Sequence, residues 1–197
     1  MKFFRVGITI LILLFCAHVS VQGQVTVAGA AAATPNGVYP TLGAAFTAIN
    51  ATNQAGLAIS LTITANTVEG AGAVLLQNAG PWASLTIQPA GNVSVTGNLA
   101  VPLVDLNGAD NVSINGINSG GNSLIISNTS TSTVASTIRF VNDAQNNTVT
   151  NCSVHFSEKQ KQKERNQVPS DIILQRNNII LPLPEVEFYS NRFYKNV

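Results

Sequence analysis

The feature that most constrains the fold is a short theme that occurs twice between Leu103 and Val154. Each copy has a brief apolar strand, a polar turn rich in Asn, Asp and Gly, and a second strand that ends in Asn. No helical pattern separates the two copies. A unit that recurs in this way buries its apolar face only by stacking on the next unit. The theme therefore predicts stacked β-units.

The same strand-and-turn pattern extends upstream of the theme. Ile59, Leu61 and Ile63 alternate with polar residues, which predicts a half-buried strand. Further short strands are predicted at Leu85–Ile87, Val93–Thr96, Val101–Leu106, Val112–Ile114, Leu124–Ser127, Thr137–Val141 and Thr148–Thr150. The segments between them are rich in Asn and Gly, which enter left-handed turn conformations easily.

Two all-β architectures satisfy this pattern. A β-sandwich pairs neighbouring strands antiparallel through tight turns, whereas a parallel β-helix pairs each strand with its equivalent one coil later. The repeated theme favours the β-helix, and so does the recurrence of Asn at the turn edges. Asn111 and Asn115 in the first copy recur as Asn147 and Asn151 in the second, and the equivalent side chains are predicted to form ladders between coils.

One short amphipathic helix is predicted ahead of the strands. Leu42, Ala45, Phe46 and Ile49 follow the helical period, and Thr41 lies at the N-cap position. A helix here would cover the first coil, where an open sheet edge would otherwise invite aggregation. The fold class expected is all-β, a parallel β-helix with one short N-terminal capping helix.

The chain is nearly uncharged over most of its 197 residues. Between Arg5 and Arg139 there is no Lys or Arg, and the only acidic residues are Glu69, Asp105 and Asp110. Such a surface is wetted by Ser, Thr, Asn and Gln, and it lacks the basic patch that binding to phosphate backbones requires. Nucleic acid is therefore not expected to be a partner.

The N-terminal segment has the three parts of a secretory signal. Lys2 and Arg5 precede an apolar run at 6–17, and small residues follow near a cleavage site before Gln24. The apolar run is shorter than the roughly 20 residues of a membrane-spanning helix. We therefore expect a signal peptide at 1–23, only transient membrane contact, and a secreted or cell-surface protein. Residues 24–36 are expected to form a lead-in strand and linker.

The pattern changes abruptly after the second copy of the theme. Residues 37–154 are assigned to the β-helix coils, and residues 155–197 to a divergent charged tail. From Phe156 onward there are seven Lys or Arg and five Asp or Glu, but no Gly. This composition fits a solvated helix and tail. A frameshift, a truncated gene or a gene-model error fits it better, and predicts a β-helix that is incomplete at its C-terminus.

The segments Tyr39–Asn50, Ser84–Ala90, Leu106–Gly116 and Ile138–Cys152 resemble the opening coils of secreted right-handed parallel β-helix surface proteins of Bacteroidetes-type bacteria. The broader superfamily is that of the pectate lyases and pectin esterases. The resemblance covers about residues 37–154 and implies a right-handed β-helix. It carries no specific activity, because most of those surface proteins have none assigned.

A polysaccharide-active enzyme on this fold would need carboxylates gathered for Ca²⁺ with a base, or paired across a groove. The only candidates are Glu69, Asp110, Asp143 and Arg139. The structural explanation is favoured, with Asp110 and Asp143 as turn formers and Asp105 paired with Arg139 across coils. In the esterases that the chain resembles, a Glu at the place of Glu69 is structural. No catalytic, metal or cofactor site is predicted.

Cys152 is the only cysteine after the expected cleavage site, so no intramolecular disulfide is predicted. It is expected to pack inward as a small hydrophobe rather than to act as a nucleophile with His155.

The leading functional hypothesis is a structural, adhesive or glycan-contacting role, in a fragment of a larger protein, with extracellular polysaccharide or cell-surface components as partners. The alternatives are a polysaccharide-active enzyme whose catalytic coils are missing, and a gene fragment without function.

Overall fold

A computed structural model of the chain describes residues 24–33, 36–77 and 81–156. The expected signal peptide and all of the expected tail beyond residue 156 lie outside the described residues. The elements are β1 (Val25–Ala28), β2 (Gly37–Tyr39), α1 (Leu42–Asn50), β3 (Ala58–Ile63), β4 (Thr67–Val68), β5 (Ala73–Leu76), β6 (Ser84–Pro89), β7 (Asn92–Gly97), β8 (Val104–Asn107), β9 (Val112–Asn115), β10 (Ser123–Asn128), β11 (Ile138–Val141), β12 (Thr148–Thr150) and β13 (Cys152–Phe156).

From β3 to β10, each strand pairs in parallel with the strand three positions later in the chain. The first sheet contains β1 and β2 together with β3, β6, β9 and β12, the second contains β4, β7, β10 and β13, and the third contains β5, β8 and β11. The chain thus visits the three sheets in turn. We call β3–β5, β6–β8, β9–β11 and β12–β13 units 1 to 4. The predicted all-β fold with parallel pairing is confirmed.

The core consists of rows of side chains that stack from one unit to the next. Leu61, Ile87 and Ile114 occupy equivalent positions on β3, β6 and β9, and each is 1% exposed. Alternate residues of each strand point inward, as the period of two predicts. Burying a side chain of this size stabilises the fold by about 1.5–3 kcal/mol, so each row ties neighbouring units together.

The N-terminal elements cover unit 1. Strand β1 pairs antiparallel with both β2 and β3, while α1 packs against β5. Thr41 caps the helix by accepting a hydrogen bond from the backbone N–H of Ala44 at 3.1 Å. At the other end, the Asn50 amide binds Val74 O and Leu76 N of β5, both at 2.8 Å. The predicted helix is confirmed, and its four apolar residues are the buried ones.

The two copies of the repeated theme lie one above the other, with β8 paired to β11 and β9 to β12. The Asn151 amide donates to Asn115 Oδ1 at 3.0 Å, so one predicted Asn ladder is confirmed. The ladder predicted between Asn111 and Asn147 is wrong. Asn147 instead accepts from Val112 N at 2.9 Å. The second turn is one residue longer than the first, which places Asn147 opposite Val112 in the register.

Several strand boundaries differ from those expected. The strand predicted at Val101–Leu106 begins only at Val104. Leu103 still accepts a backbone hydrogen bond from Ala73 N and donates one to Ser136 O, whereas the carbonyl of Val101 is bound by the side chain of Asn128. Strand β13 extends to Phe156, two residues beyond the expected end of the repeat.

Within the described part of the chain, no helix combines the length and the apolar character needed to cross a membrane.

Candidate functional site

The third sheet carries an ion pair between unit 2 and unit 3. Asp105 on β8 and Arg139 on β11 are direct register partners, and both point away from the core. Arg139 donates from Nε to Asp105 Oδ1 at 3.0 Å and from Nη2 to Oδ2 at 2.5 Å. The hydrogen bond with Asp105 raises the pKa of Arg139, so the guanidinium stays charged. The pairing expected from the repeat is present.

A groove lies directly over this pair. Its volume is about 340 Å³, and it is lined by Gly72, Val74, Ala100, Val101, Pro102, Asp105, Val134 and Arg139. We call it the Arg139 groove. Side chains of Asp105 and Arg139 are 5% and 34% exposed, respectively, so the acid is at the base and the guanidinium faces the opening. Val101 and Val134 are 48% and 69% exposed and form its upper walls.

Asn128 holds both loops that supply these walls. Its amide nitrogen lies 3.0 Å from each of the carbonyl oxygens of Leu99, Val101 and Ser136, which share its two N–H donors. Its Oδ1 accepts from Leu99 N at 3.0 Å and from Ser130 N at 3.2 Å. Asn128 is not among the residues predicted from the sequence. The signal was the alternation along β10, which places Asn128 inward, and a buried amide there needs several partners.

Glu69 is buried at the N-terminus of α1. Its carboxylate accepts from Leu42 N at 2.9 Å and from Gly43 N at 3.0 Å. Only 3% of the residue is exposed. The first N–H groups of a helix have no partner within the helix and favour a negative charge. Glu69 therefore anchors the helix to unit 1 and does not line the Arg139 groove.

Asp110 and Asp143 both lie in turns, as expected for turn formers. The Asp110 carboxylate accepts from Gln145 N at 2.6 Å, and its backbone carbonyl accepts from Trp82 Nε1 at 2.6 Å. Asp143 is exposed and adopts φ of 61°, a left-handed conformation that Asp tolerates. Of the four candidate site residues, only Arg139 lines the groove. The described residues contain no cluster of three or more His, Cys, Asp or Glu able to hold a metal ion.

Cys152 points into the core at the start of β13, which confirms the expected inward packing. Burial raises the pKa of its thiol to about 12, and a backbone hydrogen bond with Gly116 opposes this shift only in part. A thiol in this state is a poor nucleophile. His155 lies on the exposed face of the same strand, where its Nε2 is 2.8 Å from Ser153 Oγ. The structure therefore separates Cys152 and His155.

The outward side of the first sheet is uncharged. We call the part of it formed by Thr26, Ser60, Thr62, Thr86, Gln88, Ser113, Thr148 and Thr150 the hydroxyl face. Ser60, Thr86, Ser113 and Thr148 form one row across four parallel strands. Asn115 on the same face accepts hydrogen bonds from Asn151 Nδ2 at 3.0 Å and from Ile117 N at 2.9 Å. Within the described residues, the side chains of the hydroxyl face have no protein hydrogen-bond partner. They are therefore available to water or to a ligand.

Comparison of the chain with protein-family models, with curated proteins and with solved structures found no match.

Proposed function

We propose that the described chain is a right-handed parallel β-helix. Each unit passes through the three sheets in the same order and pairs with the next unit in parallel, which is the connectivity of a coil. Parallel strands joined by a crossover connection are right-handed in almost all proteins, because of the twist of the strands. The resemblance of residues 37–154 to secreted right-handed β-helix proteins supports the same handedness.

The function that we propose is contact with extracellular polysaccharide, in a structural or adhesive role of a secreted or cell-surface protein. The hydroxyl face carries this proposal. Its rows of hydroxyls are spaced by the distance between strands, about 4.8 Å, which is close to the length of one pyranose ring in an extended glycan chain. A neutral glycan can exchange hydrogen bonds with such a face without stripping water from any charge. The expected signal peptide agrees with this location.

A binding role is favoured over catalysis by the surroundings of the acidic side chains. Glycoside hydrolysis needs two carboxylates that face each other across the substrate. Glu69 and Asp110 each accept hydrogen bonds from backbone N–H groups, and they belong to different parts of the fold. Asp105 is engaged by Arg139.

Binding to immobilised neutral polysaccharides, measured as retardation in affinity electrophoresis, tests the proposed function. We expect retardation of the recombinant protein, and its loss in the double variant Thr86→Lys and Ser113→Lys, which places two charges in the centre of the hydroxyl face. The matched control is Ser94→Lys with Ser127→Lys, on the outward side of the second sheet. Equal loss in both variants, or no retardation at all, would contradict the proposal.

Two further measurements address the alternatives. Unsaturated or shortened products after incubation with pectins and other glycans would show that the protein is an enzyme and would contradict a purely binding role. A cooperative thermal transition with β-type circular dichroism would exclude a fragment that cannot fold, and its absence would support that alternative.

A further inference from the structure

The Arg139 groove combines a guanidinium with aliphatic walls, and the polysaccharide contact proposed above does not use it. We propose that this groove binds a small aliphatic carboxylate. The carboxylate of the ligand binds the outer edge of Arg139, and its hydrocarbon body packs between Val74, Val101 and Val134. The proposal stands on the side chains of the groove and does not depend on the hydroxyl face.

The arrangement of the ion pair makes its open end positive. Asp105 is almost completely buried, whereas about a third of Arg139 is exposed, so a ligand in the groove meets the guanidinium first. Arginine has five N–H donors, and Asp105 occupies two of them. The donors that remain have no protein acceptor in the described part of the chain. A carboxylate is the ligand group whose two oxygens suit a pair of parallel N–H donors on a guanidinium.

The walls define the rest of the ligand. Apart from Asp105 and Arg139, the groove is lined by Val, Ala, Pro and Gly alone, without an aromatic ring on which a sugar could stack. Its volume of about 340 Å³ lies at the lower end of the range of about 300–1,000 Å³ for ligand pockets. A short or branched hydrocarbon chain fills such a space and covers the exposed surfaces of Val101 and Val134.

The walls are held in place before a ligand arrives. Asn128 fixes the backbone of the loop that carries Val101 and of the loop that follows Val134. The base is equally constrained at Gly72, where a Cβ atom would lie 2.6 Å from Pro102 O. A preformed groove loses little conformational freedom on binding, which favours a small ligand with few contacts.

Titration of the full chain with pentanoate, followed by NMR or calorimetry, tests the proposal against pentan-1-ol of the same chain length. We expect pentanoate to bind at least tenfold more tightly than the alcohol. Arg139→Gln should abolish this preference, and Arg139→Lys should retain a weaker one. Asp105→Asn should bind pentanoate severalfold more tightly, because the guanidinium no longer shares its charge with a second carboxylate. Val134→Ala should weaken binding, whereas Val68→Ala, an exposed valine on the second sheet, should not.

Several outcomes would overturn the proposal. Equal affinities for the alcohol and the acid would show that Arg139 does not recognise the carboxylate. Unchanged affinity for pentanoate in both Arg139→Lys and Val134→Ala would show that the ligand binds outside the groove. Tighter binding of galacturonate than of pentanoate would replace the aliphatic ligand by an acidic sugar. Circular dichroism of each variant separates loss of binding from loss of fold.

Discussion

Glu69 and Asp105 are both buried acidic side chains, and the fold stabilises their charges in different ways. Among the described residues Glu69 has no cation partner, and it relies on two backbone N–H groups at the start of α1. Asp105 relies on the guanidinium of Arg139. A buried carboxylate without such partners costs several kcal/mol, so each partner is essential to the region that contains it.

Glu69→Gln tests the anchoring of the helix. The substitution keeps one oxygen acceptor but removes the charge and leaves one N–H group of α1 without a good partner. We expect the free energy of unfolding to fall by about 1–2 kcal/mol, measured by urea denaturation. The matched control is Asp143→Asn, which changes an exposed turn residue and should leave the urea midpoint unchanged. Equal midpoints for Glu69→Gln and the wild type would contradict the anchoring role.

The thiol of Cys152 makes stability depend on pH in the alkaline range. In the unfolded chain a thiol ionises near pH 8.5, whereas in the fold its pKa is about 12. Between these values the unfolded state loses a proton that the folded state keeps. The thiol therefore makes its full contribution to the free energy of unfolding below about pH 8.5, and this contribution is lost as the pH rises towards 12. The free energy of unfolding falls by up to about 1.4 kcal/mol per pH unit in this range.

Urea denaturation of the wild type and of Cys152→Ala at pH 8 to 10.5 measures this contribution. We expect the wild type to lose stability more steeply than Cys152→Ala, because tyrosines and lysines titrate equally in both. Parallel pH profiles would show that the thiol is not shielded in the fold.

At the scale of elements, the loops beside the third sheet depend on one amide. Asn128→Asp keeps the size of the side chain but replaces the donor nitrogen by a carboxylate oxygen that faces three carbonyls. We expect a loss of about 3 kcal/mol or more, seen as a lower urea midpoint. The control is Asn92→Asp, where the oxygen accepts from Ser123 Oγ and an aspartate can do the same. Similar midpoints for the two variants would contradict this role.

The helix was predictable from local sequence spacing, and the ion pair from the spacing of the repeat. Four apolar residues at the helical period determine the buried side of α1, and the repeat places Asp105 opposite Arg139. The partner of Asn147 was not predictable, because one additional residue in a turn shifts the register. The hydrogen bonds of Asn128 were not predictable either, because they join two loops that meet only once the units have stacked.

At the scale of the whole molecule, the described sheets are joined by contacts between adjacent units. The parallel register continues from β3 to β12 and from β4 to β13, and the buried rows follow the same order. In such an arrangement stability is a sum of terms within units and between nearest neighbours. A substitution that disrupts the contact between two units should therefore unfold the units that follow it in the chain and leave the preceding units folded.

Gly116→Ala tests this independence at the junction of units 3 and 4. A Cβ atom at Gly116 would lie 2.0 Å from Asn151 O and 3.1 Å from Cys152 Cα, so the backbone of unit 4 must move away. We expect hydrogen exchange, followed by mass spectrometry, to show lost protection in β12 and β13 but retained protection in β3 and β6. Gly70→Ala is the matched control, because a Cβ atom there has nothing within 4 Å. Uniform loss of protection in every strand would instead show that the units unfold as a single cooperative structure.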